Sequence, residues 1–362
     1  MEMKVLGEQD LKDILEGCTV LGTGGGGSPE EGWRMVKKEL KAGREFRLVG
    51  LDEIPDEGIV PMPYFVGSLA GEKVKSRYEE GEAARSYRLL EEFMGEEFAG
   101  VISTELGGAN TAAALATAAR LGKPIVDGDP AGRSVPELQH TTYYIMGIRM
   151  APFSVVTPHG DEMVIAKVKD DFQAEKIVRA VAASLKTNVG VTSHPVAGRE
   201  LRISVVRDAI SHALSLGRAL RTAREEGRDP IKALIEAGNG FLLFRGIVTK
   251  ASWQEENGFT VGEFELEGCD KFRGESYRVW YKNENLISWR NGEIDVTIPD
   301  LISVLTPDGY PVTNPNVEEG KEYVVVGFPA PELWRRPKGL EIFGPKYLGL
   351  DMEYIPIEKR FL

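Results

Sequence analysis

Near residue 241 the patterning of this 362-residue chain changes character, and that break constrains the fold more than any single motif. Upstream, short apolar segments at 18–21, 46–51, 58–63, 100–103 and 124–127 alternate with helical patterns. Such alternation predicts a largely parallel sheet covered by helices, a three-layer α/β/α domain. Downstream, the stretches 241–252, 259–267, 277–281, 286–289, 293–298 and 323–328 are β-rich, and Asn291-Gly292 is a strong hairpin signal. Short antiparallel strands in series predict a barrel-like all-β domain. The chain is therefore divided into an α/β domain, 1–240, and a β domain with a tail, 241–362. Two cores are expected, because single cores rarely grow beyond about 250–300 residues. Helices are expected over 79–94 and 110–121, along the apolar faces Ile177/Val178/Val181/Leu185 and Ile210/Ala213/Leu214/Leu220, and from Asp229-Pro230 onward. Stretch 201–206 alternates and reads as a strand or as the approach to a helix. The tail beyond Pro329, with Trp334, Phe343, Tyr347 and Tyr354, is too apolar for disorder and is expected to pack across a domain surface.

A net charge of −12 argues against nucleic acid and anionic membranes as partners, since both call for basic patches. The most apolar region, 111–122, is interrupted by Arg120, well short of the ~20 residues that span a bilayer. No charged-then-apolar leader follows Met1, so a cytoplasmic protein acting on a small molecule is expected. Sparse glutamine, at positions 9, 139, 173 and 254, beside 28% charged residues points to a thermophilic source. Cys18 and Cys269 give neither zinc spacing nor a disulfide framework, and Cys18 reads as a small core residue. The aromatic tail makes a homo-oligomer the expected assembly.

The run Gly22-Thr23-Gly24-Gly25-Gly26-Gly27-Ser28 leaves backbone amides open to close approach. Gly22, Gly24 and Gly27 satisfy the G-x-G-x-x-G spacing of dinucleotide loops, and Asp52 ends the next apolar segment at a suitable distance. Against an anionic ligand stands the helix start itself. Ser28 as N-cap, Pro29 at the first position and Glu31 three residues after the cap form a capping box, and Glu30 adds further negative charge. Three readings are open: a dinucleotide site, a tight strand-to-helix turn without ligand, and one wall of a pocket for a weakly charged substrate.

Chemistry concentrates in two other loops. In the loop 127–137, Asp127 and Asp129 lie at a strand end, where mutual repulsion can raise one pKa and make a general base. Arg133 offers a bidentate anion contact, and Glu137 is its natural salt-bridge partner. In the loop 105–111, Glu105 stands at another strand end, followed by Gly107-Gly108 and by Asn110 or Thr111 as helix cap. His140 shares a helical face with Glu137, His159 follows a strand end, His194 precedes Pro195 in a loop, and His212 lies within a helix as a core or interface residue. A divalent metal such as zinc on Asp129, His140 and His159 is conceivable, although no zinc spacing is present and the sequence requires no cofactor.

The glycine run 22–29, the stretch 105–110, the acidic loop 127–137 and a late Gly344-Pro345-Lys346-Tyr347-Leu348-Gly349 followed by Tyr354-Ile355-Pro356 together resemble the S-methyl thiohydantoin desulfurase family, formerly a domain of unknown function whose members are often encoded near hydantoinase-type genes. The chain departs from the family pattern in the acidic loop, with Pro130-Ala131 where a Gly-Met pair is expected. The resemblance implies an α/β domain followed by a β-barrel-like one, and a hydrolase in which water adds at C2 of a hydantoin-like ring and methanethiol leaves. On that reading Asp127 or Asp129 is the base and Glu105 or His140 the proton donor. The amides of Gly24, Gly25, Gly26 and Gly27 stabilise developing charge, while Asn110, Arg133 and Glu137 line the substrate pocket. A nucleotide-dependent enzyme and a non-catalytic small-molecule binder are the alternatives.

Overall fold

The computed structural model describes residues 3–67, 77–78 and 81–361. Its first helix, Glu8–Leu21, buries Leu11, Ile14, Leu15 and Cys18 along one face. That helix takes in the 18–21 segment expected as a strand, because the apolar residues at 11, 14, 15 and 18 follow a 3.6-residue period. It lies directly on Ala209–Glu225, and glycine makes the approach possible from both sides. A Cβ on Gly17 would fall 1.9 Å from the Ala213 carbonyl oxygen, and one on Gly217 would fall 1.9 Å from that of Asp13. The glycine run therefore joins two helices, Glu8–Leu21 and Pro29–Lys41, rather than a strand and a helix. The dinucleotide fingerprint needs a strand ahead of the first glycine, so that reading of Gly22, Gly24 and Gly27 fails on context.

The expected parallel sheet is only partly present. Arg47–Val49, Ile125–Val126 and Val101–Ile102 run parallel, with Lys4–Val5 antiparallel at one edge. The crossover between Val101–Ile102 and Ile125–Val126 is the helix Asn110–Leu121, which has the expected bounds. A second sheet, Ile59–Val66, Val189–Ala197, Phe153–Val156 and Glu162–Ile165 in spatial order, is wholly antiparallel. An apolar run marks a buried strand but carries no sign of its direction, so sequence patterning did not separate the two sheets. The helix Glu82–Met94 covers the second sheet, and a Cβ on Gly190 would fall 2.4 Å from the Glu82 backbone. The start expected for this helix, at 79–80, lies outside the described residues. The 201–206 stretch becomes a short helix, Gly198–Ser204, and a strand, Val206–Arg207, paired with Gly128–Asp129.

From Phe241 onward a seven-stranded antiparallel sheet curls into a half-barrel. Its order is Glu293–Thr297, Glu284–Arg290, Ser276–Lys282, Phe259–Gly268, Phe241–Glu256, Glu322–Phe328, Leu301–Leu305. Leu301–Leu305 is the one strand of this sheet without a counterpart in the sequence reading. The tail packs as expected, and it packs on the acidic loop. Trp334 and Phe343 are buried with Ala131 and Val135, and the Trp334 indole N–H donates to the Ala131 carbonyl at 2.7 Å. Among the described residues no helix is long and apolar enough to cross a membrane.

Candidate active site

The two glycine loops and the start of strand Glu284–Arg290 meet backbone to backbone. Thr23 (φ +51°), Gly24 (φ +92°), Gly26 (φ +74°) and Gly27 (φ +78°) turn the chain through the left-handed region. The Asn285 amide donates to the Thr23 carbonyl at 2.7 Å and the Asn314 amide to that of Gly24 at 2.8 Å. The Gly26 carbonyl accepts from the amides of Ala109 at 3.0 Å and Asn110 at 3.1 Å. A Cβ on Gly26 would fall 2.5 Å from the Gly107 Cα, and one on Gly25 would fall 1.9 Å from Glu284 Oε1. The glycines thus admit neighbouring loops and the Glu284 carboxyl.

Three carboxyls converge at this junction. Asp129 is fully buried; its Oδ1 accepts from the amides of Ala131 and Gly132, both at 2.8 Å, while Oδ2 has no hydrogen-bond partner. Burial pushes its pKa up to about 7 against those two amides; the Ser103 hydroxyl and the Glu105 amide oppose the rise without reaching Oδ2 in hydrogen-bond geometry. Glu284 is also buried, with Oε1 accepting from the Ser134 hydroxyl at 2.8 Å and Oε2 unpartnered. Burial raises it to about 7 despite the nearby Arg133 charge. Glu105 sits at φ +58° with Oε2 accepting from Asn110 Nδ2 at 2.9 Å, and it keeps part of its surface accessible. Burial, then the charges of Glu284 and Asp129, hold its pKa well above the ordinary carboxyl range. The group therefore contains a carboxyl held well above the ordinary range beside two whose burial raises them to about 7.

Other residues expected at the site do different work. Asp127 spends both oxygens on the first turn of Ala209–Glu225: Oδ1 accepts from the amides of Ile210 and Ser211, each at 3.0 Å, and Oδ2 accepts from the Ser211 hydroxyl. It anchors a helix N-terminus and is not free to act as a base. Arg133, expected to bind a substrate anion, is fully buried and directs its donors to the carbonyls of Ser134, Pro299 and Asp300 and to Thr23 Oγ1. It ties the acidic loop to the half-barrel. Glu137 pairs with Lys282 and accepts from the Tyr347 hydroxyl at 2.8 Å, rather than meeting Arg133. Burial opposes ionisation of Glu137, yet Lys282, His140 and Tyr347 hold it down to about 2.

His140 packs against Phe343 and Tyr347, and burial lowers it to about 4, so it is uncharged near neutral pH and ill suited to give a leaving group its proton. His159 is exposed, and its carbonyl accepts from Arg77 at 3.0 Å, so the Asp129, His140 and His159 metal set does not assemble. Among the described residues no group of three His, Cys, Asp or Glu side chains is placed to hold a metal. His194 lies within strand Val189–Ala197 rather than in a loop, and His212 is exposed on its helix. Cys18 is a core residue whose thiol burial raises to about 12.

Of the residues expected at the site, the fold brings Glu105, Asn110, Asp129 and the glycine run together, and it adds Glu284, which was not among them. The signal was the polar triplet Asn283-Glu284-Asn285 between two apolar strand cores, which read as a turn. Only Asn283 turns (φ +60°), while Glu284 and Asn285 begin the next strand at buried positions.

Models of the S-Me-THD-like family match this chain along almost its entire length, the N-terminal domain over residues 9–167 and the C-terminal domain over 169–357. A crystal structure of a protein from Chromobacterium violaceum has the same fold, with a TM-score of 0.76 at 24% identity over 98% of this chain and 100% of that one. No curated protein matches the sequence. The family match places the chain, together with the motifs at 22–29, 105–110 and 127–137, in the S-Me-THD-like family, that of the S-methyl thiohydantoin desulfurases.

Proposed function

We propose that the protein hydrolyses an S-methyl thiohydantoin, releasing methanethiol and leaving a hydantoin. The observation that carries this reading is the pair of buried carboxyl oxygens without a hydrogen-bond partner among the described residues, Asp129 Oδ2 and Glu284 Oε2, beside a carboxyl that burial holds well above the ordinary range. A buried acceptor left without a donor costs stability, so its retention suits a group that meets its partner in a ligand. In the reaction the water oxygen bonds to C2 as its proton passes to Asp129 Oδ2, and the C2=N electron pair moves onto nitrogen. Glu105 then gives its proton to sulfur as the C–S bond breaks. The nitrogen pair returns to C2 as the thiol leaves, the remaining hydroxyl proton then moves to that ring nitrogen to give the carbonyl, and the proton held by Asp129 passes back to Glu105. Asn110 holds Glu105 by its Oε2. Burial, with the Glu284 charge second, raises the Glu105 carboxyl and favours its acid form, and the bare Cα of Gly25 leaves room for Glu284.

Trapping released thiol with a chromogenic disulfide tests the proposal across a panel of ring substituents. Wild type is expected to release thiol, with Asp129→Asn and Glu105→Gln reduced by about 10²- to 10⁴-fold. Ligand-induced melting shifts without thiol release would favour a binding protein. Release undiminished in both variants would remove them as base and acid.

A further inference from the structure

A second buried polar network centres on His194, and the reaction above makes no use of it. Strand Val189–Ala197 bulges: its register against Ile59–Val66 passes from Met62 opposite Ser193 to Val60 opposite Val196. His194 falls in the bulge at φ +48°, an uncommon conformation for a residue with a Cβ, and its ring is fully buried. Nδ1 lies 3.1 Å from Ser193 Oγ, which lies 3.1 Å from the Tyr64 hydroxyl. Nε2 lies 3.6 Å from Asp171 Oδ2, and Asp171 Oδ1 accepts from the Met150 amide at 3.1 Å. The His194 ring stacks on Tyr143, with centroids 5.0 Å apart and planes at 26°.

Tyr143 is itself fully buried, and its hydroxyl has no hydrogen-bond partner among the described residues. It sits on the helical turn Thr142–Ile145, which is tied to the Asp129 loop through the Thr142 amide and hydroxyl, both donating to the Pro130 carbonyl. Burial, then the Asp129 charge, keep the phenol protonated and hence a donor. An unpartnered donor and the unpartnered acceptor Asp129 Oδ2 are thus both buried, on segments joined by the Thr142 bonds to the Pro130 carbonyl.

We propose that Tyr143 is a catalytic hydrogen-bond donor of the carboxyl site, bonding the ring nitrogen that gains negative charge when water adds at C2, and that His194 is its positioning residue. No proton transfer by Tyr143 is needed; the bond strengthens as nitrogen gains charge. This rests on the desulfurase reading for the identity of the atom it bonds.

Tyr143→Phe is the decisive variant. The hydroxyl it removes bonds no described residue, so the variant is expected to melt at or above the wild-type temperature, whereas a structural tyrosine would lose stability. Thiol release should show kcat reduced about 10²-fold with a smaller change in KM. A kcat within threefold of wild type overturns the tyrosine assignment. His194→Asn keeps a residue that tolerates positive φ while removing the stacked ring, and should lower kcat about tenfold in wild type but not in the Tyr143→Phe background. An equal loss in both backgrounds overturns the positioning role. If wild type releases no thiol, the desulfurase reading fails, and titration with S-methyl thiohydantoin itself decides the tyrosine. Weaker binding by Tyr143→Phe supports the donor, and equal binding, or none by either protein, overturns it.

Discussion

Asp300 and Asp129 are both fully buried aspartates, and their surroundings could hardly differ more. Asp300 Oδ1 accepts from the Ala330 amide at 2.8 Å, the Tyr354 hydroxyl at 2.7 Å and Arg335 at 3.3 Å, and Oδ2 from the Ile357 amide at 2.7 Å. All of these partners come from the tail, which is thereby fastened to the half-barrel. Asp129 has one oxygen equally well served and the other unserved. A buried carboxyl with all its partners holds a structure together, whereas an open oxygen is costly unless something else meets it, which is the basis of the role proposed for Asp129.

The contrast can be broken most directly at Asp129. Asp129→Asn, which keeps an acceptor for the Ala131 and Gly132 amides, is expected to cut thiol release by about 10²- to 10⁴-fold while the melting temperature holds or rises. A variant that loses stability along with activity would put Asp129 in the same class as Asp300. Next in size, Asp300→Ala should destabilise the chain by about 3–5 kcal/mol in urea unfolding, because it leaves Arg335 and several donors without their acceptor. A loss below about 1 kcal/mol would mean that the tail is held elsewhere.

The pH dependence sharpens the comparison at the next level. With the base at about 7, thiol release should climb about tenfold per pH unit from pH 5 to pH 7, level off, and fall once Glu105 loses its proton. The sign for stability is opposite. The native state keeps the Asp129 proton up to about 7 whereas the unfolded chain loses it near 3.8, so wild type should lose stability relative to Asp129→Asn as pH rises between those values. A difference that does not change with pH would mean that Asp129 titrates normally. The smallest effect is expected at Asp127→Ala, about 1–2 kcal/mol from loss of its bonds to a helix N-terminus, with thiol release per folded molecule unchanged. A collapse of activity there would return Asp127 to the reaction.

Much of the fold was legible because it rests on local rules. The helix Asn110–Leu121 runs from a polar start through alanines to Gly122 in the left-handed region, and its bounds were readable residue by residue. The half-barrel strands were announced by turn residues such as Asn291-Gly292. Less legible were features that depend on a distant partner. The helical end of Glu8–Leu21 looked like a strand because its last residues form an apolar run of their own, and its period shows only when Leu11 and Ile14 are counted with them. The antiparallel pairing of Ile59–Val66 with Val189–Ala197 joins segments that no local pattern connects. Of the three buried carboxyls, Asp129 and Glu105 are legible from their places at strand ends, while Glu284 reads as part of a turn.

Caps, turns, helix periods and the break at residue 241 follow from contacts between near neighbours in the chain, and amino-acid order alone sets them. Which carboxyl would be left open does not. Asp127 and Asp129 have the same chemistry and nearly the same local context, yet the amides at Ile210 and Ser211 close one of them. The other keeps one oxygen without a partner among the described residues, and lies close enough to Glu105 for its charge, like that of Glu284, to be felt there. Burial, charge and hydrogen-bond supply act through space, so folding had to bring distant segments together before two like residues acquired unlike roles.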